Sequence, residues 1–444
     1  MPADKLTKHG FCNNKSRAES ALKRLGQLHP KFIDLSLDRI LKLLARLGEP
    51  HKKLPPTIHV AGTNGKGSVI AFLRSISEQV GLNIHAYTSP HLCRFNERIR
   101  LNGTLINDHE LARLLEEVEK INNGHQITFF EVTTAAAMLA FSRRNADLLL
   151  LETGLGGSLD STNVLSDPVA TIITPIALDH EQFLGTEITG IAKQKAGIMR
   201  PNIPCFVAEQ LEEVLNTLSL YAKKNKTPLF INGSEFTITN QEKGHFSVNL
   251  RGNYYRLPNP SLPGYHQNEN AALAIATLDH ILPKIGHKLD VESIKQGISK
   301  AFWPGRVQLL SEGELNKLWP HQAIWLDGAH NAHGARALAR TLLSIHNGKW
   351  NIICGALNTR DPADFLAPLV KIAGPVQCVE IPNQSASLTT KELTSAAQKL
   401  GLLADGSESL EKAFANISKE SPVVICGSLY LVGHALEKNK TLPD

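Results

Sequence analysis

The segment Gly62-Thr63-Asn64-Gly65-Lys66-Gly67-Ser68 sets three glycines around a lysine and two hydroxyls. Such a loop can hold phosphate. Glycines let successive backbone N–H groups curl around phosphate oxygens with no Cβ in the way, and Lys66 adds a full positive charge. A helix beginning there adds a partial charge of the same sign, and Ser68 offers a hydroxyl near the metal that accompanies a nucleotide. Gly67, between Lys66 and Ser68, departs from the plain Walker spacing. A kinase, a GTPase and a ligase would all use such a loop, so it points to a nucleotide rather than a reaction. A ligand-free strand-to-helix turn is the alternative, but such a turn has no need of a lysine flanked by glycines.

The loop needs a strand before it and a helix after it. Residues 57–60 are a short, mostly apolar run, and residues 68–80 have helical period. The alternation continues to about Phe302. Strands are predicted at 84–87, 148–151, 169–174 and 205–207, with helices at 108–121, 130–143 and 209–224. This is the pattern of a parallel sheet covered by helices. From 229 to 257 the period drops to two, with turns at Asn232-Gly233 and Arg251-Gly252-Asn253, which predicts a small antiparallel region. Around Ala301-Phe302-Trp303-Pro304-Gly305 the helical pattern stops, and strands recur at 323–326, 351–354, 376–379 and 423–425. The expectation is an α/β protein with residues 1–303 as the phosphate-loop domain and 304–444 as a smaller α/β domain.

Composition narrows the class. At 444 residues and 42% hydrophobic content, about two or three domains are expected. No stretch approaches the roughly 18 consecutive apolar residues of a membrane helix. Residues 1–10 are polar and charged, without the apolar centre of a secretory signal, so a cytoplasmic protein with no membrane partner is expected. The six cysteines (Cys12, Cys93, Cys205, Cys354, Cys378, Cys426) lack the close pairs of a zinc cage or redox dithiol. A net charge of +5 without a Lys/Arg-rich block or an RNA-reading aromatic motif argues against nucleic acid and favours small anionic ligands.

Further motifs follow in order: Thr88-Ser89-Pro90-His91-Leu92, Glu97-Arg98-Ile99, Glu152-Thr153-Gly154-Leu155-Gly156-Gly157, Asp179-His180 and Lys195-Ala196-Gly197-Ile198. Then come His266-Gln267-Asn268-Glu269-Asn270-Ala271, Pro304-Gly305-Arg306, Asp327-Gly328-Ala329-His330-Asn331 and Gly427-Ser428-Leu429. With the 62–68 loop, this ordered set resembles the dihydrofolate synthase/folylpolyglutamate synthase family, a branch of the Mur-type amide ligases, over nearly the whole chain. The resemblance implies a Mur-ligase-like α/β fold: a P-loop parallel-sheet N-terminal domain that binds ATP and pterin, and a smaller Rossmann-like α/β C-terminal glutamate-ligase domain. It implies ATP-dependent addition of L-glutamate to 7,8-dihydropteroate and to the glutamate tail of reduced folates. Such chemistry turns a carboxylate into an acyl phosphate that an amine attacks. The protein then needs no nucleophile, only positioning and cationic stabilisation.

The resemblance also assigns roles. Thr63, Asn64, Gly65, Lys66, Gly67 and Ser68 would hold ATP, and Ser89, Glu152 and His180 would hold Mg²⁺, as two ions. Read from the residues alone, Glu152 ends an apolar strand, where α/β sheets bind ligands. Ser89 also fits a simple turn, and His180 a hydrogen-bonded core histidine. Lys195 falls close to the metals, where an ammonium would be repelled. The family answer is a carbamylated lysine, an anion in place of a cation, while a solvated helix lysine beside Lys193 is the alternative. Gln194 stands where the family usually has an acid. Lys66, Lys195, His180 and Glu152 form the implied catalytic set. Asn270, Arg306 and Asp327 look like ATP contacts from the other side, Arg306 at phosphate and Asp327 at the nucleoside, with His330 at the phosphate end. The bland reading of Pro304-Gly305 and Asp327-Gly328 is that both are turns.

For the substrate, Ile33, Asp34 and Leu35 resemble the family's dihydropteroate-contacting stretch, and Thr128, Phe129, Phe130 and Glu131 with Leu159, Asp160 and Ser161 fall where it lines the pterin pocket. An aromatic pair suits a flat heterocycle and a carboxylate its N–H donors, although Phe129 and Phe130 also fit a core. The family commonly has an arginine where this chain has Ser158. Tail extension alone therefore stays open as a narrower activity. A UDP-muramyl peptide ligase is a second alternative, although only 61 residues precede Gly62 to hold a UDP-sugar. A P-loop switch or transport ATPase is a third, and it would turn over ATP without glutamate. The family implies a monomer.

Overall fold

The computed structural model describes residues 10–29, 35–241, 244–320 and 322–444. Its strands are β1 Thr57–Ala61, β2 Ile84–Tyr87, β3 Ile99–Leu101, β4 Thr104–Leu105, β5 Leu148–Glu152, β6 Ala170–Ile173, β7 Cys205–Val207, β8 Leu229–Ile231, β9 Phe236–Gln241, β10 His245–Leu250, β11 Asn253–Pro258, β12 Gln308–Leu310, β13 Ile324–Leu326, β14 Trp350–Cys354, β15 Ala373–Cys378, β16 Ala404–Gly406 and β17 Val423–Cys426. The first eight form one sheet in the order β4-β3-β2-β5-β1-β6-β7-β8. Six of them run parallel, and the β3–β4 hairpin is antiparallel at one edge. Strands β1, β2, β5, β6 and β7 are buried on both faces, which explains why they read as continuous apolar runs.

Strand β1 lies between β5 and β6. The chain steps one way from β1 to reach β2 and β5 and the other way to reach β6, so the carboxyl ends of β5, β1 and β6 flank a topological switch point. The 62–68 loop leaves β1 there, Glu152 ends β5, and the segment carrying Asp179 and His180 leaves β6. Helix Lys66–Gln79 packs between helices Tyr265–Ile281 and Val291–Lys300 over a core that includes Ile58, Val60, Ile70, Phe72 and Ile172.

The 229–257 region divides differently from the antiparallel expectation. Strand β8 pairs parallel with β7 at the edge of the main sheet, and only β9–β11 form a separate antiparallel sheet. A three-residue strand has too short a pattern to show its pairing direction. The six-stranded sheet after residue 307 has the order β12-β13-β17-β14-β15-β16 and is parallel apart from β12. The sequence pattern misses β12 and β16, both three-residue strands. Among the described residues, no helix is long and apolar enough to cross a membrane.

Candidate active site

The phosphate loop is built on close approaches that exclude side chains. Gly62 has φ +148°, and a Cβ there would lie 1.8 Å from Thr174 Oγ1. Gly67 begins the first turn of helix Lys66–Gln79, and a Cβ there would meet the Trp303 indole at 2.6 Å. The linker to the second sheet is thus laid directly on the loop. Thr63 and Asn64 donate their backbone N–H groups to Pro175 O at 3.0 and 3.2 Å, and Thr63 Oγ1 donates to Ala177 O at 3.0 Å, which ties the loop to the segment after β6. Gly65 caps the helix with φ 88° and abuts Asn270, and Ser68 is buried in the first turn.

Lys66 folds back over the loop, its Nζ 3.2 Å from Gly62 O, 3.3 Å from Thr63 O and 3.9 Å from Glu152 Oε1. Glu152 is buried at the end of β5, and its Oε2 accepts the Ser89 N–H at 3.1 Å. Burial raises the Glu152 pKa, against the opposing pull of Lys66. Ser89 precedes a cis proline, and its Oγ is buried with no hydrogen-bond partner. Ser89 and Glu152 are therefore adjacent, as expected. His180 stands in the left-handed region at φ 52°, with Nε2 3.7 Å from Asp179 Oδ1. Among the described residues, no three His, Cys, Asp or Glu side chains gather as a metal cage.

Lys195 is not the solvated helix lysine of the alternative reading. It sits near the end of helix Ile188–Ala196, is buried, and donates Nζ to Gly62 O at 2.8 Å. Burial, and then the charge of Lys66, push its pKa down to about 7. Ser158 packs against the same helix end. Its N–H and Oγ both donate to Gln194 O, at 2.8 and 3.0 Å.

The second sheet closes over the loop. Asn331 caps helix Ala332–Ile345 by accepting the Gly334 N–H at 2.8 Å, and it exchanges amide hydrogen bonds with Asn64 at 3.1 and 3.2 Å. Asn331 Nδ2 also donates to Asp179 Oδ2 at 3.1 Å. Arg360, after β14, donates Nη2 to Asp179 Oδ1 at 2.5 Å, and His330 Nε2 lies 3.6 Å from Oδ2. Burial alone would raise the Asp179 pKa, but the nearby His330, His180 and Arg360 hold it far below the usual carboxylate range. Asp327 is buried and accepts the Val307 and Ala329 N–H groups at 2.9 and 2.8 Å, and burial raises its pKa against the pull of Arg306. A cavity of about 100 Å³ opens between the two sheets, lined by Ser89, Glu97, Arg100, Glu152, Trp303 and Arg306 among others.

The residues expected at a pterin pocket fall on the start of helix Phe129–Ser142 and the loop after β5. Thr128 and Glu131 form a reciprocal capping box at the start of helix Phe129–Ser142, where Glu131 Oε2 accepts the Thr128 N–H at 2.7 Å and Arg39 Nε at 3.1 Å. Its other oxygen, Oε1, is buried without a partner. A Cβ on Gly154 would meet the Phe130 ring at 2.4 Å, so Phe130 covers the loop after β5. Phe129 and Phe130 are partly buried against the adjoining core. Asp160 is turned into its own loop, accepting from Leu155 N, Thr162 N and Thr162 Oγ1 at 2.8, 2.9 and 2.5 Å. Ser161 is buried and Leu159 is exposed. Leu35 packs with Leu155 against a neighbouring apolar cluster, while Ile33 and Asp34 lie outside the described residues.

Sequence reasoning gave no role to Arg360, Trp303 or Asn331. Arg360 had a usable signal, since it follows a buried parallel strand, the position that made Glu152 conspicuous.

Residues 60–278 match the model of the Mur ligase middle domain, and residues 319–438 match that of the dihydrofolate synthetase C-terminal domain. The dihydrofolate synthase/folylpolyglutamate synthase of Bacillus subtilis is 35% identical, over 91% of this chain and 95% of the relative. Its Escherichia coli counterpart is 33% identical, over 94% of each. The solved Escherichia coli protein in complex with DHPP and ADP superposes with a TM-score of 0.84 at 31% identity, covering 95% of this chain and 97% of that one. A bifunctional folylpolyglutamate synthase/dihydrofolate synthase with Mn, AMPPNP and L-glutamate bound gives 0.82 at 28% identity, covering 95% and 97%. With this similarity running along both sheets and the motif residues gathered at one cleft, the chain belongs to the dihydrofolate synthase/folylpolyglutamate synthase family.

Proposed function

We propose that the protein is an ATP-dependent ligase that adds L-glutamate to 7,8-dihydropteroate and to the glutamate tail of reduced folates. The observation that carries this reading is the meeting of the 62–68 loop and Asp179 from one sheet with Asn331 and Arg360 from the other. A simple switch ATPase needs the loop. A ligase also needs a second wall to hold an amine and exclude water from an activated acid.

A substrate carboxylate oxygen attacks the γ-phosphorus of ATP and ADP leaves. The amine of glutamate then attacks the acyl carbon, loses a proton, and expels phosphate. The 62–68 backbone and Lys66 hold the β- and γ-oxygens, Arg306 adds a cation and His330 an imidazole from the second unit, and Asn270 and Asp327 fix the nucleotide's remaining parts. The partnerless, buried Ser89 Oγ and the carboxylate of Glu152 suit a hard cation, with His180 as a further ligand. Bound there, Mg²⁺ supplies charge neutralisation of the phosphate oxygens. Lys195, buried and with its pKa lowered, is suited to reaction of its neutral amine with CO₂, giving a carbamate anion.

In this reading residues 1–303 and 304–444 are the two working domains, the pterin lies against Leu35, Phe129, Phe130, Glu131 and the 159–161 loop, and the protein acts in the cytoplasm as a monomer. Phosphate release is measured with dihydropteroate and with tetrahydrofolate, each with and without glutamate, in the presence of Mg²⁺ and bicarbonate. Glutamate-dependent release with both acids supports the full reading, and release with tetrahydrofolate alone narrows it to tail extension. Release that ignores glutamate, or none at all from folded protein, overturns it.

A further inference from the structure

Asp179 is a carboxylate at the phosphate loop that groups from both sheets address. It is 7% exposed. From the first unit it is approached by His180, and from the second by Arg360, Asn331 and His330. Asn331 continues the web to Asn64 of the phosphate loop. Arg360 is itself held on a braced loop. Asn358 donates its N–H to Ala386 O at 2.7 Å, and Asp361 caps helix Pro362–Leu366 by accepting the Ala363 N–H at 2.9 Å. A short helix and a bridged loop thus aim one guanidinium at one buried carboxylate across the interface.

This arrangement has a directional consequence. Asp179 and Thr63 belong to neighbouring connections, because the segment after β6 takes the Thr63 and Asn64 N–H groups on Pro175 O. Seating Arg360 on Asp179 therefore fixes the second sheet relative to the phosphate loop, and it fixes His330 with it, since His330 reaches toward the same carboxylate. We infer that Arg360 is a positioning residue for the ligase reaction, docking the second domain through Asp179 so that His330 and Asn331 reach the phosphate loop.

The inference rests on the ligase reading above, and the test separates the two. Glutamate-dependent phosphate release is measured for the whole chain, for Arg360→Ala, Arg360→Lys and Asp179→Asn, and for the Arg360→Ala/Asp179→Asn pair, with thermal melts of each. The expected result is a loss of kcat on the order of 100-fold for Arg360→Ala, as small misplacements of reacting groups produce. The Lys variant recovers part of this, since a single Nη2 contact is what the geometry uses. The double variant loses no more than the worse single one. The part of the tryptophan fluorescence change on ATP addition that a Trp303→Phe background removes gives a second readout, and the Ala variant should show less of it than wild type. If wild type lacks glutamate-dependent release, the ligase reading fails. If wild type is active while Arg360→Ala keeps its kcat, or the two single losses multiply, the positioning role alone is overturned. A variant whose melt falls below assay temperature is replaced by the Lys variant, whose kcat must still drop.

Discussion

Lys195 Nζ sits 2.8 Å from the carbonyl oxygen of Gly62, with its side chain buried and its ammonium pointed at the entrance of the phosphate loop. Burial first, and then the neighbouring charge of Lys66, lower its pKa from 10.5 to about 7. Between those values the unfolded chain holds a proton on this lysine that the folded chain has released. Stability therefore rises with pH across the window from about 7 to 10.5 and has no such slope below it. Lys195→Met should flatten the rise. Urea titrations at several pH values across that window measure it, and an unchanged slope in the variant would rule out a neutral Lys195.

Glu152→Gln keeps the shape at the end of β5 and an oxygen for the Ser89 N–H, but removes the charge facing Lys66. The fold should survive with a similar melting temperature. Turnover should fall by at least ~10-fold, with a raised Mg²⁺ requirement. Metal titrations of kcat check this, and near-normal turnover at low Mg²⁺ would remove Glu152 from the metal site.

The features legible in the sequence are those carried by local pattern. Four leucines lead into Glu152, so a buried strand ending in a carboxylate is visible without a structure. The glycine spacing around Lys66 reports a backbone requirement in the same local way. Asp179 and Arg360 are 181 positions apart, and no periodicity connects them. Trp303 reads as part of a linker because its partner is a missing side chain, that of Gly67. Asp160 reads as a substrate ligand by position, yet its oxygens are taken by three groups of its own loop, which no spacing rule reveals.

Gly67→Ala tests the linker contact. Helical backbone accommodates alanine, but the new methyl would overlap the Trp303 indole. Overpacking of this kind should cost about 1–3 kcal/mol. The double variant Gly67→Ala/Trp303→Leu should recover much of the loss in thermal denaturation. Failure to recover would place the strain elsewhere in the loop.

Glu131→Gln addresses the other flank. Glu131 accepts from Thr128 N and from Arg39, and the variant leaves Arg39 facing a neutral amide. The partnerless Oε1 is the atom left to accept a pterin N–H, and losing such a charged hydrogen bond should raise the KM for dihydropteroate by about 10-fold, given roughly 1.5–3 kcal/mol per such bond. The KM for ATP should not move. Steady-state kinetics with each substrate varied separates the two, and a shift confined to ATP would detach this helix start from the pterin site.

The amide exchange between Asn64 and Asn331 brings two helix beginnings together, one just after Asn64 and the other capped by Asn331 itself. Each helix presents there N–H groups that lie outside its own hydrogen-bond ladder and carry about half a positive charge. Two like dipole ends from different domains repel across bare solvent and attract through a polyanion. A triphosphate held at the phosphate loop, as proposed above, would act as electrostatic cement. In the ligase reading, dividing that negative charge between ADP and phosphate would weaken the attraction, so product departure would loosen the cleft by the same electrostatics that closed it.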